Sequence, residues 1–164
     1  MAWPAEAKSM TRKRITLLTV MVVAALLAAC DHQTIYSHYE HTPVAGWDRD
    51  DPVLFHVSPF TDSLTCQQEL ALRVSGDYPY RDITLVVEQT RHPSGAEFRD
   101  TLSCELLSKE GNSRGSGVGI YHFTFPLRQL PVRRGDSLTV SVRHDMSRET
   151  LPGIFDIGLW IRRP

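Results

Sequence analysis

From Val53 onward, apolar and polar positions alternate with a period of two in most ordered stretches. Val53, Phe55 and Val57 alternate with Leu54 and His56, and Leu70, Leu72 and Val74 with Ala71 and Arg73. The habit repeats at Ile83–Val87, Phe98–Leu106, Tyr121–Phe125, Leu138–Val142 and Ile157–Ile161. Successive side chains of a strand point to opposite faces, so this pattern predicts seven half-buried strands. Turn residues fall between them: Ser75-Gly76-Asp77-Tyr78-Pro79, His92-Pro93-Ser94-Gly95, the Gly/Ser-rich stretch from Glu110 to Gly119, Arg134-Gly135-Asp136 and Leu151-Pro152-Gly153. No segment after the N-terminal region carries an apolar stripe at helical spacing. Short antiparallel strands with one wet face predict an all-β, single-domain, jelly-roll-like antiparallel β-sandwich.

The N-terminal region breaks the pattern. Arg12, Lys13 and Arg14 precede an uncharged apolar run from Ile15 to Leu27, and Leu27-Ala28-Ala29-Cys30 follows. Basic residues, a short apolar run and small residues before a cysteine form a lipoprotein signal with a lipobox. The run is short for a membrane-spanning helix. Cleavage would leave Cys30 as the first residue, carrying the acyl chains, and two or more chains give stable anchoring. The expected organisation is a signal peptide over 1–29, a short lipid-anchored tether over 30–34 and a sandwich over 35–164. Met10 offers a second start, with MTRKR as a tidier basic region. A tether of this length, at about 3.3–3.6 Å per residue, keeps the domain close to the bilayer.

Removing Lys8, Arg12, Lys13, Arg14 and Glu6 with the signal leaves 14 basic and 18 acidic residues, a net charge of −4. That balance argues against a nucleic-acid partner, which requires clustered positive charge. Besides Cys30, the chain holds Cys66 and Cys104, both in phase with apolar positions and both expected to point inward. An exported protein permits a disulfide between them; two buried thiols acting as small hydrophobes are the alternative.

Candidate chemistry is sparse. His38, Glu40 and His41 form the densest polar cluster, but a strand would put His41 on the face opposite His38 and Glu40, so no metal site is expected. His144-Asp145 places an acid beside a histidine without a G-x-S-x-G elbow, and no catalytic residue is assigned. No cofactor and no small-molecule ligand is expected. Trp47, Tyr78, Tyr80 and Trp160 are the candidate interaction residues: aromatic rings on a β-sandwich can stack sugars or seat a partner, whereas a lone loop aromatic more often plugs the end of the core. Trp160 is out of phase with Ile157, Leu159 and Ile161 and so should point outward.

Several segments, in order, resemble the gliding-motility lipoprotein GldH family: Tyr36-Ser37-His38-Tyr39-Glu40-His41 with Gly46-Trp47, then Leu72-Arg73-Val74 with Gly76-Asp77-Tyr78-Pro79, and Val87-Glu88-Gln89-Thr90 with Pro93-Ser94-Gly95. Gly135-Asp136-Ser137-Leu138, Val142-Arg143-His144-Asp145-Met146 and Leu151-Pro152-Gly153-Ile154-Phe155-Asp156-Ile157-Gly158 complete the series. The resemblance implies an all-β envelope lipoprotein without enzymatic activity. In gliding bacteria it implies a part in the motility machinery and its coupled secretion apparatus; in a non-gliding relative, a part in envelope assembly. It also favours the outer membrane. Asp31 is a retention signal for the inner membrane in enteric bacteria only, and His32-Gln33-Thr34-Ile35 lacks the acidic run that accompanies surface export, so the periplasmic side is expected. The alternative function is a glycan-binding envelope lipoprotein that uses the aromatic loops.

Overall fold

The seven alternating segments all form strands in a computed structural model that describes residues 33–164. Among the described residues there are twelve strands and no helix. In chain order they are β1 (Thr34–His41), β2 (Trp47–Asp48), β3 (Val53–Val57), β4 (Leu64–Ser75), β5 (Asp82–His92) and β6 (Ala96–Glu105), followed by β7 (Ser116–Val118), β8 (Ile120–Pro126), β9 (Leu130–Val132), β10 (Ser137–His144), β11 (Thr150–Leu151) and β12 (Ile154–Arg162). The signal peptide and Cys30 lie outside the described residues. Strand β1 already includes Thr34, which the sequence reading assigned to the tether.

One sheet runs β1-β12-β4-β8-β7 and the other β3-β10-β5-β6, with a small β11-β2 ribbon beside them. Every pairing is antiparallel. The order β1-β12-β4-β8 facing β3-β10-β5-β6 is that of an eight-stranded jelly roll, two Greek keys folded into two sheets. Strand β9 continues the pairing along β4 beyond β8. From Glu69↔Pro126 to Cys66↔Leu130, β4 advances three residues and its partner four, a one-residue bulge. Pro131 is tolerated in β9 because this is a sheet edge.

Alternation builds the core directly. Leu70, Leu72 and Val74 of β4 meet Ile83, Leu85 and Val87 of β5, with Phe55, Val140, Val142, Ile157, Leu159 and Ile161 around them, all buried. Two polar side chains interrupt this apolar interior. Gln68 and Gln89, each almost fully buried, exchange reciprocal Nε2–H to Oε1 hydrogen bonds of 3.0 Å from one sheet to the other. Each amide thus satisfies the other where water is excluded.

Two expectations are corrected. The stretch from Glu110 to Gly119 is not loop throughout, because Ser116–Val118 pairs with β8 as β7. It escaped detection because all three residues are exposed and show no alternation. Cys66 and Cys104 both point inward as expected, but both are free thiols and the candidate disulfide does not form. Parity fixed their direction, not their height along the strands. Cys66 lies two residues before Gln68, while Cys104 pairs with Ile83, six residues before Gln89, and so belongs to the other end of the sandwich. At about 3.3 Å per residue they are roughly 25 Å apart, and a disulfide needs Cα atoms within about 7 Å. The Cys66 thiol instead donates to the Leu130 carbonyl at 3.2 Å. Burial pushes the Cys66 thiol up from its ordinary value, and pushes that of Cys104 up to about 12.

Candidate functional site

The outer face of the first sheet holds a connected cluster of aromatic and charged side chains. Its floor is made of small residues: Gly158 of β12 pairs with Ala71 of β4, and both are buried although they face away from the core. A Cβ at Gly158 would come within 2.7 Å of the Tyr39 ring, so only glycine lets that ring lie against the strand. The Arg73 guanidinium sits 4.3 Å over the same ring, and Trp160 meets Tyr39 edge-on at 6.4 Å. Arg162 covers Trp160 at 4.7 Å and reaches Glu69 at 3.5 Å. Asp156, buried beneath the cluster, is held by Arg73 at 3.4 Å and by the His41 imidazole. The Trp160 indole N–H has no hydrogen-bond partner among the described residues. Rings flanked by guanidinium groups suit recognition rather than bond-breaking chemistry.

The candidate interaction residues therefore separate. Trp160 lies on this outer face, half-buried, as its phase required. Tyr80 is half-buried and stacks edge-on against Tyr78 at 5.6 Å. Trp47 and Tyr78 are corrections to the proposed surface, because both are buried. Trp47 closes one end of the core: its indole N–H donates to the Asp51 carbonyl at 2.9 Å and its ring meets His144 at 5.1 Å. Tyr78 lies under the turn after β4, its hydroxyl 3.4 Å from the Asp82 carbonyl. Burial, with smaller contributions from Asp82, Tyr80 and Cys104, raises the pKa of that hydroxyl.

Among the described residues, the candidate histidine and carboxylate groups lie apart rather than in one cluster. His144 is fully buried whereas Asp145 is exposed and lies 3.4 Å from Arg143. His38 meets Glu40 at 3.0 Å on one face of β1, while His41 joins Asp156 on the other. Among the described residues no three His, Cys, Asp or Glu side chains converge to hold a metal ion. A cleft of about 200 Å³ opens at the end of the sandwich between Tyr78, Tyr80, Leu106, Tyr121 and Phe123, and no ionisable acid or base other than tyrosine lines it.

His144 Nε2 lies 3.2 Å from the Trp47 carbonyl, and the Met146 N–H points at Nδ1 from 3.4 Å. These partners fit a neutral imidazole that donates from Nε2 and accepts at Nδ1. Burial holds its pKa below the ordinary value. The unfolded chain therefore takes up this proton first as pH falls through about 6.5, and stability present above that pH is lost toward the lower folded-state pKa. Thermal melts between about pH 7.5 and pH 5 should show the decline, and a His144→Gln variant should flatten it. An unchanged slope in that variant would remove His144 from the acid response.

Sequence reasoning missed Gln68, Gln89 and Arg73, and did not bring Tyr39 and Asp156 into one cluster. Phase carried a signal for the glutamines, since Gln68 is in phase with Cys66 and Leu70, and Gln89 with Val87. Gly158, set among large residues in mid-strand, was the signal for a ring lying on β12.

A sequence profile of the family described as GldH lipoprotein matches residues 34–161, from the first strand of the sandwich into the last. No curated protein matches the chain significantly. Among solved structures, the chain is similar to a CocE/NonD family hydrolase from Staphylococcus aureus, at 15% identity and a TM-score of 0.40 over 80% of this chain and 34% of that one. It is also similar to an alpha-amino acid ester hydrolase, at 12% identity and a TM-score of 0.38 over 83% of this chain and 31% of that one. A third is the Eiger TNF of S. frugiperda, at 16% identity and a TM-score of 0.32 over 81% and 94% of the two chains. The chain thus spans about a third of the length of the two hydrolases, and at these scores the likenesses carry no inference about activity. The profile match covers the sandwich almost end to end, and the chain belongs to the GldH lipoprotein family.

Proposed function

We propose that this chain is a non-catalytic lipoprotein held by acyl chains on Cys30 at the periplasmic face of the outer membrane. There it serves as an interaction component of the gliding-motility machinery and its associated secretion apparatus. In a cell that does not glide, the same component supports envelope assembly. The observation that carries this reading is the family match across residues 34–161. The lipobox ending at Cys30 supports it, as does the placement of His144 and Asp156 in structural contacts.

The contact face we assign is the outer side of the first sheet, centred on Trp160 with Tyr39 and Arg162 beside it. Tryptophan and arginine dominate the binding energy of protein interfaces. Capture of the acylated protein from native membranes should recover motility, secretion or other envelope proteins, and deletion should impair spreading or secretion. Trp160→Ala is expected to reduce that recovery about tenfold or more, with the thermal transition little changed. Recovery of only lipid and porins by the native protein would overturn the reading. Mass spectrometry of the mature N-terminus tests the anchor: Cys30 should carry the acyl mass.

A further inference from the structure

The two ends of the sandwich differ in charge. At one end, the Arg163 N–H donates to the Gln33 carbonyl at 2.8 Å, so the backbone meets the start of β1 beside Arg163. The turn at 133–136 lies at this end, tied to the 58–63 loop by the Arg134 N–H donating to Ser63 Oγ at 3.0 Å. Arg133 and Arg134 are exposed, and among the described residues neither guanidinium makes a salt bridge, although Arg134 lies within electrostatic reach of Asp62. The nearby acids are occupied. Asp62 pairs with Arg163 at 2.7 Å, and Asp136 is buried, accepting the Arg133 N–H at 2.9 Å. The opposite end carries more acid than base: Asp50, Asp51, Asp77, Asp82, Glu105, Glu110, Asp145 and Glu149 are exposed there, against Arg81, Lys109, Arg114 and Arg148.

We infer that the arginine end rests on anionic lipid headgroups of the bilayer that holds the acyl chains, with Arg133, Arg134 and Arg163 toward the phosphates. The inference depends on the anchoring of Cys30 proposed above. Two residues, Asp31 and His32, lie between Cys30 and Gln33, and the three steps from one to the other reach about 10 Å at full extension. Electrostatic attraction is felt over about 8 Å at physiological ionic strength, so the tether cannot carry this end far from the headgroups. Basic groups next to a membrane anchor are drawn to anionic lipid, while the acidic end is repelled by it. Attraction and repulsion act together to stand the sandwich upright. The Trp47 end and the Tyr78 cleft then face away from the bilayer.

The test uses the full acylated chain in vesicles of phosphatidylcholine, with and without phosphatidylglycerol. A fluorophore is placed on Ser58→Cys at the arginine end or on Val44→Cys at the acidic end, and a quencher is carried on the lipid headgroups. With phosphatidylglycerol, quenching at position 58 is expected to exceed that at position 44 several-fold. The ratio should fall toward its phosphatidylcholine value in Arg133→Gln/Arg134→Gln and at high salt. Equal quenching at the two positions, or a ratio insensitive to phosphatidylglycerol, arginines and salt alike, overturns the inference while leaving anchoring intact. A chain that fails to float with either vesicle overturns the anchoring itself and this inference with it.

Discussion

Replacing Trp47 by alanine is expected to destabilise the sandwich by about 3–5 kcal/mol, the range for truncating a large buried aromatic. A domain of this kind is stable by about 5–15 kcal/mol, so the change removes a large share of the total. The effect should be large because Trp47 joins elements that otherwise touch little. Its ring packs on His144 at the end of β10, its backbone pairs with Leu151 in the β2–β11 ribbon, and its N–H reaches Asp51. Gly46 precedes it with φ at +123°, and a Cβ there would meet Thr150 at 2.7 Å, so the segment has little room to collapse into the void. Arg49 adds hydrogen bonds from Nη2 to the carbonyls of Met146 and Ser147, at 2.5 and 3.0 Å, fixing the facing loop. Urea denaturation followed by circular dichroism measures the difference. A loss below about 1 kcal/mol would mean that this end opens independently of the rest.

The buried glutamine pair should behave in the opposite way to an ordinary core contact. Gln68→Met leaves the Gln89 amide in the interior with neither partner, at a cost of about 1–3 kcal/mol. Gln89→Met should cost about the same. The double variant removes both amides at nearly constant volume, and its stability should return to within about 1 kcal/mol of the native chain. A double-mutant cycle by chemical denaturation reads the coupling. Additive losses would show that the amides act separately rather than as one bridge between the sheets.

Most of the sandwich was legible because burial imposes a period of two and the turns carry Gly, Pro and Asp. Strands β3, β5, β10 and β12 follow from Val53, Ile83, Leu138 and Ile157 and the alternation after each. Strand β9 was obscured by Pro131, which reads as a breaker unless the strand is known to lie at an edge. Phase also separated Trp160 from the core and showed His144 and Asp145 to be opposed. What phase does not supply is position along the fibre of the strand or partnership between sheets. That is why the cysteines read as a candidate bridge, and why Tyr39, Arg73 and Asp156 were not joined. Their association depends on the β1–β12–β4 neighbourhood, formed by residues far apart in sequence.

The first strand of the sandwich, β1, pairs along its length with β12, which lies between it and β4. In a chain that emerges N-terminus first, the first part of the sandwich to appear therefore waits for the last. Until Ile154–Arg162 has emerged, β1 has no ladder to join and β4 has one side bare. Native structure around β1 thus depends on the whole chain having emerged, and a prematurely ended chain would present two open strand edges.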